Sequence, residues 1–124
     1  MLDTSVPQPR PAVAAGLRLS CLHSAGAVHL ALVGELDIAT TPVLHRALRR
    51  TQTDARLVVV DLRELQFMDC SGAQLLLTAH RRARWGGSRL VIVRGPAEVD
   101  RVFALLGVDH QLELVDGVPT EAAA

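Results

Sequence analysis

Leu57-Val58-Val59-Val60-Asp61-Leu62, followed after a short polar stretch by Phe67-Met68-Asp69-Cys70-Ser71-Gly72, decides the fold class. An apolar run bounded by charged residues marks a strand buried on both faces. From Gly72 the pattern turns helical, with Leu75, Leu76, Ala79 and Ala83 on one face. Ser71 then stands where loop becomes helix, beside unpaired backbone N–H groups and the positive end of the helix dipole. A phosphate is stabilised at such a place, so Ser71 is a candidate switch residue. The plainer reading is that Asp69 or Ser71 caps the helix, and capping and switching are compatible.

Working outward, segments at about 17–23 and 27–34 alternate and flank Ser24-Ala25-Gly26, which predicts an antiparallel hairpin. Gly34-Glu35-Leu36-Asp37-Ile38-Ala39-Thr40-Thr41-Pro42 leads into a helix, with Thr41 at the cap and Pro42 at the first helical position. Val43, Leu44, Ala47 and Leu48 give its buried face, and Arg46, Arg49 and Arg50 point outward. The central strand is read over 56–62 and its helix over 71–85, ended by Gly86-Gly87. Arg89 to Val93 is a further strand, Pro96 opens a helix with Val99, Val102, Phe103 and Leu106 inward, and Gln111 to Val115 is the last strand. The order β-β-α-β-α-β-α-β predicts an α/β fold, a mixed, mostly parallel sheet with helices packed against it. Residues 1–15, with Pro7, Pro9 and Pro11, are expected to be a mobile tail, 16–117 the domain and 118–124 a short C-terminal tail.

The chain of 124 residues is one domain, and 49% hydrophobic residues suffice for a core. Thirteen basic and 13 acidic residues leave no net charge, hence little long-range attraction to nucleic acid or to an anionic membrane. All 13 basic residues are arginine. Without lysine, neither a Walker-type phosphate loop nor Schiff-base chemistry is possible. Cys21, expected to face the core, and Cys70 are too few for a disulfide framework, and the five histidines are scattered. No metal and no cofactor is expected. With no basic-then-apolar leader and no run of membrane-spanning length, the expected location is cytoplasmic. His80, Arg81, Arg82 and Arg84 read as a solvated face suited to a helix C-terminus. An acidic partner is the second reading of that face, and nucleic acid the third for want of an aromatic platform.

Three pieces carry a family resemblance: Gly34-Glu35-Leu36-Asp37 followed by Thr40, the strand and turn quoted first, and Trp85-Gly86-Gly87 before Leu90-Val91-Ile92-Val93. Together they resemble the STAS domain, most closely the stand-alone bacterial anti-sigma factor antagonists, over about residues 17–116. The resemblance implies a partner-switching regulator, not an enzyme. Its implied partner is an anti-sigma factor with serine kinase activity, which phosphorylates the second hydroxyl residue of an Asp-Ser-Ser-Gly-like turn. That residue is Ser71 here, while Cys70 occupies the first hydroxyl position. Unmodified protein would bind the anti-sigma factor and free a sigma factor; phosphoserine would end binding and a serine phosphatase would reset it. Asp69 would repel an approaching acidic surface or orient the hydroxyl, and Gly72 would let a partner approach. Glu35 and Asp37, expected at the same sheet edge, would contact a basic partner surface, or else form a solvated turn. Asp61 reads as a local hydrogen-bonding residue.

Rival readings fail on residues. A receiver domain phosphorylated at Asp69 needs a lysine that the chain lacks. A serine hydrolase needs a Gly-x-Ser-x-Gly elbow, and Asp69-Cys70-Ser71-Gly72 lacks its first glycine. A STAS-fold scaffold, or a subunit of a larger signalling or transport assembly without a phosphorylation switch, remains the alternative.

Overall fold

The computed structural model describes residues 10–14 and 16–120. Its elements are β1 (Arg10–Ala14), β2 (Leu17–Ser24), β3 (Ala27–Leu36), α1 (Thr41–Asp54), β4 (Leu57–Met68), α2 (Cys70–Trp85), β5 (Arg89–Val93), α3 (Ala97–Leu105) and β6 (Leu114–Val115). A single 3-10 turn, Asp109–Gln111, precedes β6. The predicted order of elements is present, and one further strand stands before it.

The six strands form one sheet in sequence order. β1, β2 and β3 pair antiparallel, and β3 through β6 pair parallel. The β2–β3 hairpin turns through Ala25 (φ 49°) and Gly26 (φ 83°), the left-handed pair that matches the twist of two strands. Each parallel step moves to the next neighbour in the same direction, so right-handed crossovers bring all three helices to one face. Leu44, Leu76 and Phe103 accordingly share one core with Leu30, Val58, Val60 and Leu62. Leu57 and Val59, on the other face of β4, join Ala27, Val91 and Val93 in a second cluster that contains no helical residue.

Four boundaries differ from expectation, the last strand among them: expected over Gln111 to Val115, it is confined to Leu114–Val115, and Gln111 belongs to the 3-10 turn. Residues 10–14, placed in the mobile tail, form β1; Pro11 hides the strand, yet a missing N–H is tolerated at a sheet edge. Val118, placed in the C-terminal tail, packs against the second cluster. Residues 1–9, 15 and 121–124 of those expected tails lie outside the described residues. The central strand continues to Met68 instead of ending at Leu62. Its pairing with β3 slips between Ala31 and Val33 and again between Gly34 and Glu35, each slip inserting one extra residue into β4. After Leu62 only Leu65 and Met68 are buried, a spacing of three that destroys the alternation by which strands are read.

Candidate functional site

The bulged ends of β3 and β4 finish side by side, with Leu36 opposite Met68 and the Asp69 N–H donating to the Leu36 carbonyl at 3.2 Å. The loop after β3 and the turn after β4 are therefore neighbours at one sheet edge. Asp69 is the N-cap of α2. Its Oδ1 accepts from the Ser71 N–H (3.0 Å), the Gly72 N–H (3.3 Å) and the Ser71 hydroxyl (2.5 Å). Burial alone would raise the Asp69 carboxyl. Hydrogen bonds from the Ser71 hydroxyl and from the Gly72, Ser71 and Ile38 N–H groups hold it below its ordinary value.

Of the two candidate caps, then, Asp69 performs the capping and Ser71 occupies the second helical position. The donors expected to welcome a phosphate at Ser71 are already occupied by the Asp69 carboxylate. A phosphoryl group on Ser71 must displace that carboxylate or swing outward, and in either case loses the hydroxyl donor. Removing the hydroxyl in Ser71→Ala is expected to lower stability by about 1 kcal/mol, and removing the cap in Asp69→Ala by about 2 kcal/mol. Urea denaturation checks the order. A larger loss for Ser71→Ala would mean that Asp69 is not the principal cap.

Four other expected contact residues divide between surface and interior. Cys70 and Glu35 are exposed at this edge. Asp37 is half-buried, and its Oδ1 accepts from the Ala39 N–H (3.0 Å) and the Thr40 N–H (3.1 Å). These bonds shape its own loop. Gly72 is buried, and a Cβ there would meet Met68 at 2.8 Å and Leu36 at 2.9 Å. The glycine lets α2 pack on the strand ends and makes no opening for a partner. Thr40, not Thr41, caps α1 in position; its buried hydroxyl donates to the Glu35 carbonyl and accepts from the Asp37 N–H, both at 2.9 Å. Sequence reading missed two residues that dominate this surface, Ile38 at 78% and Phe67 at 48% exposure. Large apolar side chains flanking a polar turn are the available signal.

The family profile described as "Mlab, STAS domain" matches residues 11–116. The chain belongs to the STAS domain family. Among curated relatives, the anti-sigma-B factor antagonist of Listeria monocytogenes is 27% identical over 88 residues, 70% of this chain and 77% of that protein. Among solved structures, an anti-sigma factor antagonist from Mycobacterium paratuberculosis superposes with a TM-score of 0.75 at 22% identity, over 86% of this chain and 91% of that one. Unphosphorylated SpoIIAA, an anti-sigma factor antagonist, gives 0.68 at 20% identity, over 78% and 87%. The phosphorylated form of SpoIIAA, a Bacillus cell fate determinant, gives 0.62 at 20%, over 78% and 90%. These likenesses establish the fold. Among the described residues of this STAS domain, no helix is long and apolar enough to cross a membrane.

Away from the Ser71 edge, Asp61 on the helix-free face is the one buried carboxylate among the described residues. It accepts from His29 Nε2 (2.9 Å), from Arg63 Nη2 (2.8 Å) and Nε (3.0 Å), and from the Arg63 N–H (3.1 Å). It is thus the local hydrogen-bonding residue expected. Burial would raise its carboxyl, but the bonds from His29 and Arg63 hold it well below the usual carboxylate range. A folded value below the unfolded one contributes stability that is full above the ordinary 3.8 and lost as pH falls through the folded value. Wild-type stability should therefore decline as pH falls below about 4, and Asp61→Asn should flatten that decline while being less stable at neutral pH. Urea midpoints measured from pH 7 downward would show it. An equally steep acid decline in the variant would remove Asp61 as its source.

Proposed function

We propose that this STAS domain is an anti-sigma factor antagonist, a cytoplasmic regulatory protein without catalysis of its own. Unmodified, it binds an anti-sigma factor with serine kinase activity and so frees a sigma factor. Phosphorylation at Ser71 ends that binding, and a serine phosphatase restores it. Nucleic acid and membrane are not partners in this reading.

The observation that carries it is the Ser71 hydroxyl, hydrogen-bonded to Asp69 and set beside exposed Ile38 and Phe67. Unmodified, this edge offers apolar area whose burial against a partner is favourable. Phosphoserine brings close to two negative charges and a strongly held hydration shell onto the same spot, beside Asp69. The bond to Asp69 also has a use in phosphoryl transfer: it turns the hydroxyl proton toward a carboxylate and leaves an oxygen lone pair facing outward. Asp69 acts there as a positioning residue. The listerial relative and the SpoIIAA structures, named as antagonists, support the assignment at the level of family.

Phosphopeptide mass spectrometry after incubation with ATP and each anti-sigma kinase of the same genome tests it. Phosphate on Ser71 from one kinase, together with loss of binding to that kinase, is the expected result. The matched profile is described by Mlab and not as an antagonist, which favours the alternative of an assembly subunit or scaffold without a switch. No phosphate and no binding with any of the kinases would establish that alternative in place of the antagonist.

A further inference from the structure

Zero net charge conceals a local cluster of arginines at one end of the sheet. α1 and α2 end, and β4 and β5 begin, at the sheet edge opposite Ser71. A cleft of about 440 Å³ lies between the two helix ends, lined by Arg49, Arg56 and Arg82, with Asp54 as its carboxylate. Arg82 donates to the Gln52 side-chain carbonyl at 3.0 Å and Arg56 to the Ala25 carbonyl at 3.0 Å. Next to the cleft, Arg81 and Arg84 flank Trp85, which is 92% exposed, and Arg81 donates to the Gln111 side-chain carbonyl at 3.1 Å. None of these five arginines forms an ion pair among the described residues. Neutral oxygens hold three of them in place, and Asp54 is the one carboxylate among the residues that line the cleft.

The helix dipole explains only part of this. Arg82 and Arg84 lie in the last turn of α2, where a cation is favoured. Arg49 sits more than a turn before the end of α1, and Arg56 lies beyond it. We propose that this arginine-rich end docks an acidic polypeptide segment of a partner protein, with Trp85 as its apolar anchor. Tryptophan and arginine together are the side chains most enriched among residues that dominate protein interfaces. One aromatic side chain suits a single anchoring contact and gives no platform for successive bases. A second copy of the chain is poorly matched, because two carboxylates at the Ser71 end, Asp37 and Asp69, are already bound in their own turns, while Glu35 is exposed there. The proposal does not rest on the reading of Ser71.

Trp85 is the only tryptophan, so its fluorescence reports this end alone. Titrating the full chain with a short oligoglutamate peptide should give a saturable change that weakens as salt rises, with no response to oligoglutamine. Arg81→Glu with Arg84→Glu, both on exposed side chains, should weaken oligoglutamate binding by about tenfold or more. Arg49→Gln with Arg82→Gln, in the cleft, should weaken it several-fold by the same physics. The proposal is overturned by an unsaturable response, or by charge-reversed protein that binds as wild type does. A single-stranded oligonucleotide of equal charge binding more tightly would overturn it in favour of nucleic acid. Peptide-free self-association that arginine reversal abolishes would overturn it in favour of a second copy.

Discussion

Ser71→Asp should weaken binding to the cognate anti-sigma kinase by at least about tenfold, and phosphoserine by about a hundredfold or more. The effect has two sources at one position. A carboxylate at residue 71 must be desolvated when the partner covers Ile38 and Phe67, and it meets the Asp69 carboxylate where a hydroxyl donor used to be. Phosphate adds a second charge and more bulk, which explains the larger expectation. Ser71→Ala removes neither apolar area nor charge balance and should bind nearly as wild type does, while no longer responding to ATP. Titration calorimetry of the four forms against one kinase separates these cases. Binding by phosphoserine protein at wild-type affinity would end the charge-switch account, whatever the aspartate variant did.

Gly34→Ala is the second large effect, about 4 kcal/mol or more of lost stability. Gly34 lies in β3 between Leu17 on β2 and Leu65 on β4, with φ at +111°. A Cβ there would stand 2.2 Å from the Gly16 carbonyl oxygen. That oxygen cannot retreat freely, because it accepts the Glu35 N–H at 2.7 Å. The substitution therefore combines left-handed strain with a backbone collision, in a domain whose whole stability is of the order of 5–15 kcal/mol. Gly16→Ala is the control. Gly16 has φ at +90°, but its Cβ would meet only Glu35 Oε1, at 3.7 Å, so about 1 kcal/mol is expected. Urea denaturation of both variants distinguishes strain from collision, and equal losses would show that the close approach at Gly34 is not what limits it.

What could be read in the sequence, and what could not, follows from the range of the forces involved. Val58, Val59 and Val60 announce a strand buried on both faces because burial imposes composition locally. Asp69 and Ser71 were legible for the same reason, since a cap is a contact between near neighbours in the chain. The rest of β4 was not, because its inserted residues are defined only by the strand opposite. Gly72 illustrates the limit most plainly. Its type suggests an opening toward a partner, whereas its direction depends on where Leu36 and Met68 converge from two different strands. Asp37, expected to contact a partner or else to form a solvated turn, is hydrogen-bonded within its own loop, a contact its sequence neighbours alone do not reveal. Counting charges gave zero and concealed their distribution, which only the sheet, with its two opposite edges, makes visible.

The strict sequence order of the strands has a kinetic consequence. Every strand pairs with the one made just before it, so each pairing needs only chain that has already been synthesised. Such an order allows the sheet to grow by addition as the chain is synthesised. The Ser71 turn needs only β3, β4 and the first turn of α2 to be in place. All of these parts are synthesised before β5.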